Sequence, residues 1–381
     1  MHQAPLPQEY VDLSPEEVNI RIEAAKRTLG DRLVILGHHY QRDEIIKHAD
    51  FRGDSYKLAK DAAAHPNAEF IVFCGVHFMA ESADILTPQH QTVILPNLAA
   101  GCSMADMANL FQVRKAWADI ERILSEARVA VGSGGSELIQ EPTRVVPVTY
   151  INSAANIKGF VGEHAGTVCT STNAPAAVKW ALEKGDKVLF FPDQHLGRNT
   201  GVKLGYDPER DMILWDPFKP LGGNTPERIR EATFILWKGH CSVHQRFTVE
   251  QIQKAREQYP GIKILVHPEC PLEVVEAADL AGSTEFIIRT VEQSEPNSKW
   301  AIGTEINLVS RLAKSHFDKT IFCLDSQICP CSTMYRIHPT FLLWALENLV
   351  NGVVVNPIKV PERVALYARQ ALDTMLAIPL S

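Results

Sequence analysis

The stretch Asp31–Gln41, DRLVILGHHYQ, predicts a short buried strand that ends in polar residues. Its apolar run is rich in aliphatic and β-branched residues, which is typical of a parallel strand covered on both faces. The same pattern recurs at residues 143–153 (TRVVPVTYINS) and 262–271 (IKILVHPECP). We therefore interpret the chain as three copies of one strand-and-helix unit.

Two spacings are identical in the first and third copies. The polar strand end is followed 17 residues later by a hydroxyl, and the hydroxyl is followed 47 residues later by a cysteine. The residues at these positions are His38, Ser55 and Cys102 in the first copy and His267, Thr284 and Cys331 in the third. Matched spacing over this distance supports a true internal repeat.

The middle copy carries the same residue types at wider spacing. Its strand end is Tyr150, its hydroxyl is Ser171 and its cysteine is Cys241. We assign the extra length to an inserted loop near residues 197–226, because that segment is rich in Gly, Pro and Asp.

Three such copies predict an α/β fold of three homologous αβα sandwich domains arranged around a pseudo-threefold axis. We expect an N-terminal extension at residues 1–17, domain 1 at 18–105, domain 2 at 106–241 and domain 3 at 242–331. Residues 332–381 are expected to pack back on domain 1.

One cysteine from each copy predicts a metal centre. Ligands of parallel α/β sheets bind outside the carboxyl ends of the strands, where these cysteines would lie. Three thiolates without a fourth ligand suit an iron–sulfur cluster with one open iron, which can act as a Lewis acid. A three-cysteine zinc site stays an alternative, although zinc sites usually contain a closely spaced ligand pair. The candidate ligands are Cys102, Cys241 and Cys331, and the repeat spacing selects Cys331 over Cys329.

The repeated hydroxyls predict anion binding. Helix N-termini bind anions, so Ser55, Ser171 and Thr284 suggest substrates with several negative charges, such as dicarboxylates and phosphates. These residues are also suited to ordinary helix capping. Glu269, beside His267 at a strand end, is an acid–base candidate. Four residues near other strand ends are interpreted as structural, namely His77, Glu81, His195 and Glu305.

Composition excludes several classes of protein. The chain has 381 residues, 22% charged residues and a net charge of -7, which argues against a nucleic-acid-binding surface. It contains no apolar run of about 18 residues and no signal-peptide pattern, so we expect a cytoplasmic protein without a membrane segment. Its eight cysteines should then stay reduced, which favours metal binding or catalysis over cross-linking.

Eleven dispersed motifs closely resemble the quinolinate synthase (NadA) family, and they cover residues from about 20 to about 350 in the family's order. They are GHHYQRDEIIKHADFRGDS, FCGVHFMAESA, GCSMADM, YINSAANIK, CTSTNA, FFPDQHLG, WKGHCSVH, VHPECPLEV, AGST, GTEINLVSRL and CPCSTMYRIHP. The resemblance implies a 4Fe–4S cluster held by Cys102, Cys241 and Cys331. It also implies condensation of iminosuccinate with dihydroxyacetone phosphate to quinolinate, phosphate and water, in the biosynthesis of NAD.

The resemblance also assigns the substrate contacts. They fall on His38, Ser55, Tyr150, Ile151, Asn152, Ser171, His267, Pro268, Glu269 and Thr284. The expected acid–base and carbonyl-polarising groups are Tyr40, Tyr150, His267 and Glu269. An enzyme that supplies the unstable iminosuccinate is a possible partner.

Three other functions remain open at this stage. An aconitase-like hydro-lyase would use the same cluster on a single substrate and would release no phosphate. An iron–sulfur redox sensor would need a partner surface, for which the acidic charge balance gives no sign of DNA. A zinc protein would contain no sulfide.

Overall fold

The apolar runs form β-strands in the computed structural model, which describes residues 3–131, 143–327 and 329–379. These residues contain fourteen β-strands and seventeen α-helices. The strands are β1 (Leu33–His38), β2 (Phe51–Gly53), β3 (Phe70–Cys74), β4 (Thr92–Ile94), β5 (Val145–Tyr150), β6 (Thr167–Cys169), β7 (Lys187–Phe191), β8 (Met212–Trp215), β9 (Phe234–Trp237), β10 (Lys263–Val266), β11 (Leu280–Ala281), β12 (Lys299–Gly303), β13 (Thr320–Cys323) and β14 (Pro357–Ile358).

The helices follow the strands in regular alternation. They are α1 (Gln8–Val11), α2 (Pro15–Leu29), α3 (Asp43–Ile46), α4 (Ser55–Ala63), α5 (His77–Leu86), α6 (Ser103–Asp106), α7 (Leu110–Val131), α8 (Ala155–Glu163), α9 (Ala174–Leu182), α10 (Gln194–Lys203), α11 (Pro226–Glu231), α12 (Val249–Gln258), α13 (Leu272–Ala277), α14 (Thr284–Glu292), α15 (Ile306–Ser315), α16 (Pro339–Val350) and α17 (Glu362–Ala377). Such alternation of strands and helices is typical of α/β proteins with parallel sheets.

Three sheets share one strand order. The first is β14-β4-β3-β1-β2, the second β6-β5-β7-β9-β8 and the third β11-β10-β12-β13. The strand that opens each copy lies between the next two strands of that copy: β1 between β2 and β3, β5 between β6 and β7, and β10 between β11 and β12. Neighbouring strands pair in parallel except β14 and β4. The predicted α/β fold is confirmed.

The pairing registers repeat between the first and third sheets. In both sheets the opening strand pairs with the second strand at an offset of 15 residues and with the third at an offset of 37. The pairs are Leu36–Phe51 and Leu265–Leu280 for the first offset, and Leu33–Phe70 and Lys263–Trp300 for the second. Equal registers place corresponding residues of the two copies at corresponding points of their sheets.

The chain divides into two compact units, which are described separately. Unit 1 comprises the described residues of Met1–Cys102, Arg246–His267 and Glu273–Glu362, and it contains the first and third sheets. Unit 2 comprises the described residues of Ser103–Gln245, Pro268–Leu272 and Arg363–Ser381, and it contains the second sheet. Residues after Arg363 were expected to pack on domain 1, whereas they belong to unit 2. The three-domain boundaries and the pseudo-threefold axis stay predictions.

The middle insertion is not a loop. The segment predicted near residues 197–226 contains most of α10 and the strand β8, which pairs in parallel with β9. The apolar run Met212–Trp215 explains the strand, because its residues are largely buried against the sheet. Gly222 packs at positive φ against the ring of Trp215, where a Cβ would overlap the indole. The turn residues that suggested a loop therefore flank an added edge strand.

Local signals define the helix that leads into β1. Ser14 and Glu17 form a capping box, in which the Ser14 Oγ accepts from the Glu17 amide and Glu17 accepts from the Ser14 amide. The preceding residues were expected to be a loose extension, but α1 lies there and buries Tyr10 to 7% exposure. The Arg21 guanidinium of α2 lies 5.4 Å from the centre of the Tyr10 ring, and this contact helps to hold the short segment in place.

We expect Gly162→Ala to lower the free energy of unfolding of unit 2 by about 2 kcal/mol, because a Cβ at this position of α8 would overlap the carbonyl oxygen of Tyr367 on α17. Alanine stabilises a helix relative to glycine by only about 1 kcal/mol. The steric overlap outweighs this gain, so the net effect of the substitution is destabilising. Urea unfolding measures the effect. Gly159→Ala, one turn earlier, is the control, since its Cβ would lie 3.3 Å from the Val364 carbonyl oxygen. Equal unfolding midpoints for Gly162→Ala and the parent chain would contradict the expectation.

Candidate active site

A three-residue hydrogen-bonded chain lies in unit 2. The Tyr150 hydroxyl, at the end of β5, donates to the Glu269 Oε1 at 2.6 Å. The His244 Nδ1 lies 2.7 Å from the other carboxylate oxygen, Oε2. The residues are 5%, 2% and 1% exposed for Tyr150, Glu269 and His244 respectively. This arrangement lets a proton move between phenol, carboxyl and imidazole without bulk water.

The segment that carries Glu269 is held from α10. The Asn199 Nδ2 donates to the main-chain oxygens of Pro268 and Cys270, each at 2.8 Å. These two bonds bracket Glu269, so its backbone is fixed on both sides. Such support orients a side chain that must keep one geometry during proton transfer.

A second buried carboxyl interacts with Glu269. Asp193 is fully buried, and desolvation followed by the negative charge of Glu269 raises its pKa well above the usual value. Repulsion between two buried carboxyl groups disfavours double ionisation, which is the arrangement expected for a pair that exchanges a proton.

His244 was not predicted from the sequence. The ligand atoms of Cys241, His244 and Glu269 lie within 4.8 Å of one another, an arrangement that could also hold a metal ion. The sequence feature that could have indicated His244 is the Cys241-x-x-His244 spacing, which places a cysteine and a histidine on one turn. Because both oxygens of Glu269 already have protein partners, its interactions account for its position without a metal.

Unit 1 brings together predicted residues from the first and third sheets. The Tyr40 hydroxyl lies 3.1 Å from the Thr284 Oγ1 and 3.0 Å from the Thr304 Oγ1. The Tyr40 amide donates to the His38 Nδ1 at 3.1 Å, and the two rings meet edge to face. Tyr40 therefore joins the end of β1 to the N-terminus of α14, and its catalytic role stays a prediction.

The predicted hydroxyls are not the helix caps. The N-cap of α4 is Asp54, and the N-cap of α14 is Ser283, each of which accepts a hydrogen bond from the helix N-terminus. Ser55 and Thr284 are instead the first residues of these helices. Because their side chains are not the capping acceptors, they are available for other interactions at the same helix ends.

Ser171 also precedes its helix rather than capping it. It lies in the turn before α9, whose N-cap position is Asn173. Other predicted contacts occupy the strand ends as expected: Ile151 and Asn152 directly follow β5, and His267 and Pro268 directly follow β10. Of these, the Asn152 Oδ1 is buried without a hydrogen-bond partner among the described residues. A buried oxygen without a partner is suited to accept a hydrogen bond from a bound ligand.

The predicted metal ligands differ from the other cysteines in exposure. Cys102, Cys241 and Cys331 are half-buried, and each lies in a loop after the fourth common strand of its sheet. The remaining cysteines are fully buried or exposed: Cys74, Cys169, Cys270 and Cys323 are buried, and Cys329 is exposed. Burial raises the pKa of Cys74 and of Cys323 to about 12, which makes both poor thiolate ligands.

Two of the cysteine loops meet within unit 1. The Asn97 Nδ2 donates to the Arg336 carbonyl oxygen at 3.0 Å, and the Arg336 Nη1 donates to the Ala99 carbonyl oxygen at 3.1 Å. Asn97 and Ala99 precede Cys102, and Arg336 follows Cys331. The loop segments next to Cys102 and Cys331 are therefore joined by two hydrogen bonds.

His195 gives a pH-dependent prediction. It is 9% exposed, and neither ring nitrogen has a hydrogen-bond partner among the described residues. Burial, then the charges of Arg198 and His240, lowers its pKa to about 4 from the usual 6.5. The unfolded chain therefore binds this proton more tightly, so the stability tied to neutral His195 is present above pH 6.5 and is lost as pH falls towards 4.

As the pH falls from 6.5 to 4, we expect the free energy of unfolding of the parent chain to fall by about 3 kcal/mol more than that of His195→Asn. Urea unfolding at several pH values measures the difference. The comparison between the two chains cancels the other titrating groups, as well as any acid-induced loss of a cofactor. Identical pH profiles for the two chains would show that His195 titrates normally.

No helix among the described residues combines the length and the apolarity needed to cross a membrane.

Comparison with known proteins identifies the family. The family model described as "Quinolinate synthetase A protein", NadA, matches residues 20–377. A quinolinate synthase of Corynebacterium glutamicum is 56% identical over 373 residues, which are 98% of this chain and 90% of that protein. Quinolinate synthases of Streptomyces coelicolor and Bacillus velezensis are 54% and 50% identical, over 96% and 98% of this chain and 90% and 96% of those proteins. The chain therefore belongs to the quinolinate synthase (NadA) family, whose members are iron–sulfur enzymes that act on small molecules.

Proposed function

We propose that this enzyme condenses iminosuccinate with dihydroxyacetone phosphate to form quinolinate, phosphate and water, in the de novo biosynthesis of NAD. Family membership over nearly the whole chain supports the reaction. The main structural support for this chemistry is the buried hydrogen-bonded chain of Tyr150, Glu269 and His244, along which a proton can be transferred. Condensation and phosphate loss both require proton removal beside a carbonyl.

We further propose one 4Fe–4S cluster per chain, held by Cys102, Cys241 and Cys331. The chemistry of these donors fits the group, since they are half-buried thiols outside the strands, whereas the other cysteines are buried or, for Cys329, exposed. When bound, the cluster supplies a Lewis-acidic iron with an open coordination position for a substrate oxygen.

In unit 2, Glu269 acts as the general base and acid. Its Oε1 takes or returns a proton through the Tyr150 hydroxyl, while the bond to the His244 Nδ1 orients the carboxylate. The buried Asp193 carboxyl and the Glu269 carboxylate repel each other, which favours protonation of one of the two groups. Asn152 and Ser171, at neighbouring strand and helix ends, bind substrate polar groups.

In unit 1, the proposed roles are anion binding and carbonyl polarisation. Ser55 and Thr284 begin α4 and α14, where main-chain amides and the helix dipole favour a carboxylate or phosphate. Tyr40, whose hydroxyl contacts Thr284, can transfer a proton to a group bound there. His38 and His267, at the ends of the opening strands, neutralise carboxylates or polarise a carbonyl.

The test is an assay of the anaerobically purified chain with iminosuccinate and dihydroxyacetone phosphate. We expect stoichiometric formation of quinolinate and inorganic phosphate, by a protein that contains about four irons and four sulfides per chain. Water loss from a hydroxy-acid without phosphate release would favour an aconitase-like hydro-lyase. Zinc without sulfide would favour a mononuclear site formed by Cys241, His244 and Glu269, whose ligand atoms lie within 4.8 Å.

The proposed partner is an enzyme that produces iminosuccinate, because this imine hydrolyses readily in water. We propose that both enzymes work in the cytoplasm. Neither a nucleic acid nor a membrane is part of the proposed reaction.

A further inference from the structure

Two buried carboxylates occupy the same position in the second and third copies of the repeat. Asp193 and Glu305 each lie two residues beyond the third common strand of their sheet, β7 and β12 respectively. Each is the N-cap of the helix that follows, α10 or α15, and each is 0% exposed. A helix cap needs only a small polar side chain at the surface, so full burial of a carboxylate calls for another role.

Glu305 contacts the loop of Cys331 directly. Its Oε1 accepts from the Cys331 amide at 3.2 Å and from the Asn307 Nδ2 at 3.1 Å. Its Oε2 caps the helix by accepting from the amides of Asn307 and Leu308, at 2.7 and 3.4 Å. One carboxylate oxygen thus holds the helix and the other holds the cysteine loop.

Asp193 makes the corresponding connection to the loop of Cys241. Its Oδ1 accepts from the Leu196 amide at 2.8 Å, and the Cys241 amide also interacts with the carboxylate. Its backbone pairs with Gly239, two residues before Cys241, and the Gln194 amide donates to the Gly239 carbonyl oxygen at 2.9 Å. A buried carboxylate therefore lies against the cysteine loop in both copies, although the connections differ: Glu305 has a hydrogen bond of 3.2 Å to the cysteine amide, whereas the Asp193 Oδ2 has no hydrogen-bond partner among the described residues.

The first copy has no carboxylate at this position. Val76 is the N-cap of α5, and the His77 amide donates to the Ala100 carbonyl oxygen at 2.8 Å, while the Arg336 Nη1 donates to the Ala99 carbonyl oxygen. Bonds from main-chain amides and from an arginine therefore place the cysteine loop of this copy without a buried carboxylate. The carboxylates of the other two copies are therefore additions to the repeat rather than requirements of the fold.

We infer that Glu305 and Asp193 are positioning residues for Cys331 and Cys241, and that they determine how firmly the metal cluster is retained. The inference rests on the proposed assignment of these cysteines as cluster ligands. A buried hydrogen bond to the amide of a ligand residue orients the loop that carries the ligand, so its loss weakens metal binding. Residues that orient metal ligands in this way typically change metal retention 10- to 100-fold, by order of magnitude.

The experiment separates anchoring from helix capping at one position. Glu305→Ser keeps a capping hydroxyl for the amides of α15 but is too short to reach the Cys331 amide. Glu305→Gln keeps the length of the side chain but has a single accepting oxygen, so it can hold the helix or the cysteine loop but not both. The anaerobic, cluster-loaded chains are mixed with an iron chelator, and the loss of visible absorption is followed with time.

We expect Glu305→Ser to lose its cluster about 10-fold faster than the parent chain, and Glu305→Gln to lose it at a rate between those of Glu305→Ser and the parent. Ser14→Ala is the control, because it removes a helix cap of the same unit that contacts no cysteine. Asp193→Ser repeats the test for Cys241, in case Glu305→Ser does not fold.

The outcomes distinguish the positioning role of Glu305 from the proposed assignment of Cys331 as a cluster ligand. Loss at the parent rate in Glu305→Ser, or equal acceleration in Ser14→Ala, would overturn the positioning role. A Cys331→Ser chain that still assembles the full cluster would instead overturn the proposed ligand assignment, whatever Glu305→Ser does. Cluster loss that is fastest in Glu305→Ser, slower in Glu305→Gln and unchanged in Ser14→Ala supports the inference, since the loss of a helix cap alone would accelerate Ser14→Ala as well.

Discussion

Cys241→Ser is expected to abolish both the brown colour of the purified protein and its quinolinate synthase activity. A serine hydroxyl stays protonated near neutral pH and cannot replace a thiolate as an iron ligand. Loss of a Lewis-acidic iron removes several kcal/mol of transition-state stabilisation, which corresponds to a fall in kcat on the order of 10³-fold. Iron and sulfide counts, the visible spectrum and quinolinate formation measure the three losses.

Cys329→Ser is the matched control for this experiment. Cys329 lies two residues before Cys331 but is exposed, whereas Cys331 is half-buried. We expect Cys329→Ser to keep its cluster and its activity, and Cys102→Ser and Cys331→Ser to behave like Cys241→Ser. A Cys241→Ser chain with a complete cluster and parent activity would refute the assignment.

Glu269→Gln is expected to lower kcat by about 10³-fold while the iron and sulfide contents stay unchanged. Both oxygens of Glu269 have partners, the Tyr150 hydroxyl at 2.6 Å and the His244 Nδ1 at 2.7 Å. A glutamine cannot take up a proton, and it has a single oxygen to offer these two groups. Steady-state kinetics with a parallel metal analysis tests the expectation.

Tyr150→Phe provides the comparison for Glu269→Gln. It removes one hydrogen bond but leaves the carboxylate and its bond to His244, so we expect a smaller fall in kcat than for Glu269→Gln. The metal analysis distinguishes the proposed base from a metal ligand. If Glu269→Gln loses metal along with activity, Glu269 is a ligand in a site with Cys241 and His244.

Local patterns account for the elements that the sequence predicted correctly. The strand from Leu33, the strand from Lys263 and the helix that begins at Pro15 each depend on neighbouring residues, either an apolar run or a capping box. The internal repeat was also predicted from equal spacings along the chain, and the equally spaced residues have equal pairing registers in the first and third sheets. The strand β8 was missed because four apolar residues lie among turn-forming residues.

The helix caps show where local reasoning stops. Ser55 was a candidate cap, but Asp54 caps α4, since a shift of one residue is within the range that sequence patterns cannot resolve. Glu305 was interpreted as structural. It does cap α15, but its second oxygen reaches the Cys331 amide, which is 26 residues away in the chain.

The sequence by itself determined the opening strand of each copy, the threefold repetition and the identity of the chemical groups, because each depends on residue type and spacing along the chain. Only the tertiary structure decided which of these groups share protons. Tyr150 and Glu269 are separated by 119 residues, and Tyr40 and Thr284 by 244. A hydrogen bond forms over about 3 Å, and periodicity cannot specify a distance of that size between residues so far apart.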